Sequence, residues 1–323
     1  MSVDPVTFEV QGLFYQNAYG GCIALAQQHA PAGVTDEISA IRLSYAARAA
    51  LALGDIPGAR QILGDDSEYP AAMCVLFLAD YVEALRSGGP ASEEASSALE
   101  QLQALEGLVE PATLAAEIAR YNTGLALWEG GSAHAALEAL CVTGAGNSTE
   151  LECIALGVHI LLSLNRVDLA EKEYLTARQW GDDALLVQFM EAWIALARGG
   201  RSTQQAYYVY DELSQASSVA NTPNMVPCFV GKAAALAAQD EVAQAEAVLD
   251  QAANLVRRRK APLTFQDPSS AIVRTNQAVL ASLQSRDTAD DLVRDVSADA
   301  PAALHDSWAA KRRELEDAVA AMG

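Results

Sequence analysis

The 323-residue chain carries 42 acidic against 21 basic side chains, a formal charge of −21. That balance repels phosphate backbones and anionic membrane surfaces, and so argues against a nucleic-acid or membrane-adhering protein. Hydrophobic residues make up 51% but aromatics only 6%, so a core is affordable only if it is built largely from Ala and Leu, which favour helix.

The N-terminus, MSVDPVTFEV, has no basic region and carries Asp4 and Glu9, so it does not read as a signal peptide. The longest apolar stretches, near Ala72–Ala79 and Cys153–Leu164, are too short to span a bilayer. A soluble, cytosolic protein is expected. Asn17–His29 and Ile38–Leu53 read as helices, followed by Gly54-Asp55 and a helix Pro57–Leu63. Proline suits a first helical position, where its missing N–H is not needed. Tyr19-Gly20-Gly21-Cys22 reads as a further turn, with Cys22 in a slot for a small residue. Ser87-Gly88-Gly89-Pro90 reads as a long polar turn. Further on, Ile154–Leu164, Asn165-Arg166 and Val167–Ala177 form a helix, turn and helix. Ala192–Ala197, Gly199-Gly200 and Thr203–Leu213 repeat the pattern, as do Val230–Ala238, Gln239-Asp240 and Val242–Val256. Gly, Asn and Asp at these turns tolerate the left-handed backbone that ends a helix. Cys141–Thr149, Ser214–Pro227 and Ala261–Ser270 read as loops. Ala271–Gln284 and Ala303–Ala321 read as helices, with a turn at Ser285–Thr288.

Six alanines mark the period: Ala59, Ala95, Ala136, Ala170, Ala206 and Ala245, separated by 34 to 41 residues. A period near 34 is that of the tetratricopeptide helix–turn–helix unit, which buries its apolar face only by stacking on neighbours. The expectation is therefore an all-α, tetratricopeptide-like solenoid. It would be one superhelical domain over 1–323, with the clearest repeats at 120–256 and less regular helices at 270–323. With each alanine counted as position 20, the Ala170 unit places Val158 at 8, Leu161 at 11, Tyr174 at 24 and Ala177 at 27. The Ala245 unit gives Ala233, Leu236, Leu249 and Ala252, and the Ala136 unit Gly124, Leu127 and Leu140. Small residues at 8, 20 and 27 would let two helix backbones approach. The same count turns first-helix positions of roughly 2, 5, 9, 12 and 13 inward, here Tyr121, Leu125, Trp128, His159 and Leu162, either to line a concave partner-binding face, where Tyr and Trp are favoured anchors, or to pack between repeats.

Nothing in the sequence reads as an active site. His29, His134, His159 and His305 lack a second His or Cys at metal-ligand spacing. Cys22, Cys74, Cys141, Cys153 and Cys228 are odd in number, widely spaced and without C-x-x-C, which suits buried free thiols in a reducing compartment. No phosphate-binding or nucleophile motif occurs in a strand context; Gly144-Ala145-Gly146 follows a helix. His134 and Glu138 read as a surface pair. Asp65-Asp66, Asp182-Asp183 and Asp290-Asp291 are adjacent carboxylates, and Asp182 reads as a helix N-cap. Arg257-Arg258-Arg259-Lys260 either complements the negative end of its helix or docks an acidic partner. No cofactor, metal or catalytic activity is expected.

The runs LECIALGVHILLSLNRVDLAEKEY (Leu151–Tyr174) and EAWIALARGGRSTQQAYYVYDELS (Glu191–Ser214) resemble the epsilon subunit of coatomer, epsilon-COP. The opening LFYQNAYGGCIALAQ (Leu13–Gln27) is similar to that family's first helix pair. The most specific part is LxLxRxDLAxKE at Leu162–Glu173, with AYY at Ala206–Tyr208 in support. The resemblance implies a non-catalytic subunit of the COPI vesicle coat, acting in Golgi-to-endoplasmic-reticulum and intra-Golgi transport. It implies the alpha-COP C-terminal domain as partner, with the superhelix curled around a segment of it. It also implies a cytoplasmic protein, peripheral on Golgi membrane and reaching membrane only through the coat. The polar loops at 86–98 and 214–227 depart from a minimal member of that family. A generic tetratricopeptide adaptor or co-chaperone for an extended peptide is the alternative; its basic carboxylate clamp is disfavoured by the acidic chain and the apolar inner positions.

Overall fold

The computed structural model describes residues 4–64, 67–110, 113–142, 148–215, 226–258 and 268–284. These residues form fifteen helices and no strand. The chain divides into two compact units, Met1–Val209 and Tyr210–Gly323.

Helices α1 (Pro5–Tyr15) to α11 (Leu185–Arg198), with the first part of α12 (Ser202–Gln215), build the first unit. They pair as hairpins: α1 with α2 (Tyr19–His29), α3 (Glu37–Ala52) with α4 (Ile56–Leu63), α5 (Pro70–Gly88) with α6 (Glu93–Glu106), α7 (Leu114–Glu129) with α8 (Ala133–Ala139), and α9 (Leu151–Ser163) with α10 (Val167–Gly181). Each odd-numbered helix also packs on the next odd-numbered one, from α1 through to α11, whereas the even-numbered helices make no comparable contact with one another. The odd-numbered helices therefore form a continuous inner layer and the even-numbered ones a spaced outer layer, the arrangement of a curved solenoid.

One local rule sets the hairpins. Asn17, Gly54, Gly131 and Asn165 adopt the left-handed backbone, with φ of 57°, 82°, 82° and 57°. Just beyond each, the same bond closes the helix end: the N–H of Ala18, Asp55, Ser132 and Arg166 donates to the carbonyl of Leu13, Ala50, Leu127 and Leu161. This is the Schellman closure, and a short polar residue or glycine is what can occupy its left-handed position. The following helices start on side-chain caps where the sequence provides them. Asp55 accepts from the Gly58 N–H at 2.8 Å, and Ser92 from that of Ala95 at 3.2 Å. Asp36 and Ser39 cap the start of α3 reciprocally.

Several turn expectations change. The first turn lies at Asn17, while Tyr19-Gly20-Gly21-Cys22 is the opening turn of α2; Asn17 takes the left-handed backbone, so the glycines are free to stay helical. Cys22 is nonetheless fully buried. Ser87 and Gly88 remain in α5, which ends at Gly89 with φ 78°, so the turn is shorter than expected. Asp182 is no N-cap: its backbone is helical (φ −54°, ψ −37°) at the end of α10, and Ala184 stands at the cap of α11. Capping needs an extended backbone, and the Asp182 carboxylate accepts from Arg178 Nε at 2.9 Å instead. Ser214 and Gln215 continue α12, and Val226 and Pro227 open α13.

The six marker alanines are each no more than 1% exposed. Val158, Leu161, Tyr174 and Ala177 are buried around Ala170. At Gly124 the approach is closest: a Cβ there would lie 2.6 Å from the Leu140 side chain, which leaves room only for hydrogen.

In the second unit α13 (Val226–Ala237), α14 (Val242–Arg258) and α15 (Pro268–Leu283) pack mutually. Val226, Ala252 and Val273 form a core flanked by Phe229, Val230, Leu255 and Val256. Asp240 (φ 62°) and the bond from Glu241 N–H to Leu236 carbonyl repeat the hairpin closure of the first unit. Ala233, Leu236, Leu249 and Ala252 are buried around Ala245. Tyr210 packs against Gly231, where a Cβ would fall 2.3 Å from its ring. Arg257 is exposed in the last turn of α14 and donates to Asn254 Oδ1 at 3.0 Å. Lys260, Asp65-Asp66, Gly144–Gly146, Asp290-Asp291, His305, the turn at Ser285–Thr288 and the helix Ala303–Ala321 lie outside the described residues.

Candidate partner-binding face

The inner layer of the first unit carries two groups of aromatic side chains, and they differ in what fills them. The first centres on Arg48 of α3, whose guanidinium lies 4.4 Å from the Tyr121 ring centre, 4.7 Å from Phe14 and 5.1 Å from Tyr45. Its two terminal nitrogens form a two-pronged ion pair with Glu152 of α9, one contact being Nη1 to Oε2 at 3.2 Å. Arg48 is 4% exposed. Three inner helices are thus tied to one cation, and α1 joins through Phe14. Phe14 and Tyr15 meet the Tyr45 ring at 5.7 and 6.4 Å, and Tyr45 Oη accepts from Gln11 Nε2 at 2.9 Å. Burial raises the phenols of Tyr45 and Tyr121 above their ordinary range. Burial disfavours the Arg48 cation, but Glu152 outweighs that and keeps it charged.

Beside this plug, Arg120 pairs with Glu150, and Cys153 Sγ donates to Glu150 Oε2 at 3.3 Å. Glu117 completes the cluster. Burial first, and then the neighbouring Glu150 and Glu152, push its carboxyl up to about 7 against the pull of Arg120. Burial also lifts the thiols of Cys22 and Cys74 to about 12, which makes them poor nucleophiles. All five cysteines are free, and Cys141 departs from the expectation in being only partly buried.

The second group lies two helical turns further along the same faces of α7 and α9. Trp128 follows Tyr121 by seven residues, and His159 follows Glu152 by seven. The rings of Trp128 and His159 meet edge to face at 6.2 Å (89°), and His159 meets Trp193 of α11 at 6.1 Å (71°). Phe189 stacks on Trp193 at 6.1 Å (10°). Partial burial between the indoles pushes the His159 imidazole below its ordinary range, so it is mainly neutral at pH 7. His159 is exposed, and the other three rings are half-buried. Among the described residues, the three cation–π contacts all belong to Arg48, and none lies over this second row.

Of the five residues expected to face inward, Trp128 and His159 join this row and Tyr121 joins the plug. Leu125 and Leu162 are half-buried and pack against the hydrophobic cores beneath. His134 and Glu138 sit exposed on α8. The sequence reading missed Arg48, Glu152, Phe189 and Trp193. Arg48 holds position 9 of the Ala59 unit and Glu152 position 2 of the Ala170 unit, both inner positions, so the same count applied throughout finds them. Trp193 falls at position 7 of its unit and only the ring geometry reveals it. Among the described residues no group of three or more His, Cys, Asp and Glu side chains is placed to hold a metal, and no helix is long and apolar enough to cross a membrane.

Repeated helical hairpins with an aromatic inner layer define a tetratricopeptide-like all-α solenoid. A tetratricopeptide repeat protein from Parabacteroides merdae shares the fold, with a TM-score of 0.52 at 12% identity over 80% of this chain and 87% of its own. The family model of the coatomer epsilon subunit matches residues 4–286, and the chain belongs to that family. It is 30% identical over 209 residues to coatomer subunit epsilon-2 of Oryza sativa subsp. japonica, covering 64% of this chain and 66% of the rice protein. It is 37% identical over 78 residues to coatomer subunit epsilon-1 of Arabidopsis thaliana, covering 24% and 26%. The match thus spans just under two thirds of the rice relative's length.

Proposed function

We propose that this protein is a non-catalytic structural subunit of the COPI coatomer coat, and that the inner face of its first unit holds a segment of the alpha-COP C-terminal domain. Its work is in Golgi-to-endoplasmic-reticulum and intra-Golgi vesicle transport, from the cytoplasmic side, with membrane reached through the coat. Membership of the coatomer epsilon family over residues 4–286 carries this reading. The row Trp128–His159–Trp193–Phe189 supports it, because half-buried aromatic side chains on a rigid helical layer are what an interface anchor requires. The energy of association would come from covering those rings. A co-chaperone-type clamp for an acidic peptide end is less well supported, since the inner cations Arg48 and Arg120 are already paired with Glu152 and Glu150. The Ala-marked slots serve the scaffold: buried small residues set the spacing of the helices and make no direct contact with a partner.

Co-expression with the alpha-COP C-terminal domain followed by gel filtration tests the reading. Co-elution is expected, with loss of the complex in Trp128→Ala/Trp193→Ala. Separate elution of two folded proteins would refute it.

A further inference from the structure

The plug shows how this inner face holds an arginine. Arg48 lies over rings contributed by three helices, and a carboxylate pairs with its two terminal nitrogens. One step of seven residues along α7 and α9, about 10 Å by helical rise, Trp128 and His159 stand where Tyr121 and Glu152 stood. Trp193 and Phe189 of α11 extend the row. Here the rings are present, and among the described residues no cation–π contact covers them. Trp128 sits in the last turn of α7, where backbone carbonyls give the helix end its negative character. Glu129, next to Trp128, is exposed. The whole chain carries a charge of −21, which draws cationic partners and repels anionic ones.

We propose that the row Trp128–His159–Trp193–Phe189 is a subsite for an arginine-bearing extended segment of a partner protein, seated as Arg48 is seated in the plug. The inference rests on the proposed role of the inner face and adds the chemistry of its occupant. Tryptophan offers the strongest ring face to a cation. A guanidinium is flat and weakly hydrated, so it stacks on aromatic rings better than an ammonium does. Trp128, His159 and Trp193 meet edge to face in turn while Phe189 stacks on Trp193, so an extended chain can place one guanidinium against the row while its neighbours lie on Leu125 and Leu162. A neutral His159 adds no positive charge to the subsite at pH 7, whereas its protonation would add a like charge; acidification is therefore expected to weaken the contact.

The test is a fluorescence titration of the full chain with Trp180→Phe and Trp308→Phe, so that only Trp128 and Trp193 report. The probes are acetylated, amidated peptides: tetra-arginine, tetra-lysine and tetra-glutamate, all at one moderately high salt concentration. Saturable quenching by tetra-arginine is expected, about fivefold tighter than by tetra-lysine, with none by tetra-glutamate. Trp193→Ala, read through Trp128, should weaken arginine binding by about fivefold. Equal affinity for arginine and lysine peptides would assign the binding to net charge and overturn the proposal. Unchanged binding in Trp193→Ala would overturn it too. If that variant fails to fold, the arginine-to-lysine ratio on the parent chain still decides. Co-elution with the alpha-COP domain alongside a failed arginine preference would remove this inference and leave the proposed function intact.

Discussion

Tyr121 with Glu152, and Trp128 with His159, occupy the same faces of α7 and α9 two turns apart, yet one pair is sealed and the other open. Around Tyr121 the chain supplies its own cation, Arg48, and a counter-charge for it. Around Trp128 the described residues supply rings without a cation over them. The lesson is that an inner layer of a solenoid is not uniformly a binding surface. Where one arginine can reach carboxylate and rings together, the layer closes on itself and ties α1 and α3 to α7 and α9. Where it cannot, the rings remain for something else.

Removing the cation is the strongest way to break this contrast. Arg48→Ala leaves Glu152 with an unpaired charge and three rings without their partner, and should destabilise the fold by about 3–5 kcal/mol in chemical denaturation. The double variant Arg48→Met/Glu152→Met removes both charges and should recover most of that loss. A single-variant loss below about 1 kcal/mol would mean that the plug does not organise the hairpins. Next in size is a test of whether the two regions differ only at the inner surface. Ala59 lies in the hairpin that carries Arg48, Ala170 in the one that carries His159, and both are buried. Ala59→Leu and Ala170→Leu should each cost about 1–3 kcal/mol by overpacking, measurable as a fall in Tm. A clear inequality would place the difference in the helix packing rather than in the faces.

This division was only partly legible in the sequence. The fold was: the alanine period and the Asn, Gly and Asp turns follow from local backbone rules, and Asn165 and Asp240 take the left-handed backbone those rules require. The turn at Asn17 was misplaced because two adjacent glycines, Gly20 and Gly21, are a louder signal than one asparagine, and glycine permits a turn without compelling one. Asp182 misled in the same way, since a carboxylate before an apolar run suits a cap only when its backbone is extended. For the face, helical counting finds Trp128 and His159 but cannot say that Tyr121 lies beneath an arginine from another hairpin. The pairing of Arg48 with Glu152 spans 104 residues, and the curvature that joins them is a sum of packing between many helices. Trp193 shows the same limit: its ring reaches the row from a position that the repeat count leaves out.

A third, smaller test bears on the charge beside the plug. Glu117 holds its proton up to about 7 in the folded chain, against an ordinary value of 4.5. Between those values the folded state keeps a proton that the unfolded state has released, so this group opposes stability as pH rises and does so fully above about 7. Below 4.5 both states are protonated and the effect vanishes. Glu117→Gln should therefore match the parent at low pH and gain stability on raising the pH to neutral, by about 1 kcal/mol after allowing for solvent at this half-buried carboxyl. Parallel stability curves for parent and variant from acid to neutral pH would show that the cluster absorbs the charge. The plug would then tolerate solvent as the open row does.

The smallest expected effect sharpens the contrast from the other side. Trp128 and His159 meet edge to face, a geometry that adds about 0.5–1 kcal/mol beyond burial. A double-mutant cycle with Trp128→Ala and His159→Ala should return a coupling of that order in the isolated chain. Because His159 is exposed, His159→Ala alone should cost no more than about 1 kcal/mol. The same substitution should weaken co-elution with the alpha-COP domain far more than that stability loss accounts for, whereas Arg48→Lys should lower stability while sparing the complex at temperatures where it stays folded. Were both variants to shift stability and association in proportion, the open row would be another packed layer like the plug, and the interface would have to lie on a different face.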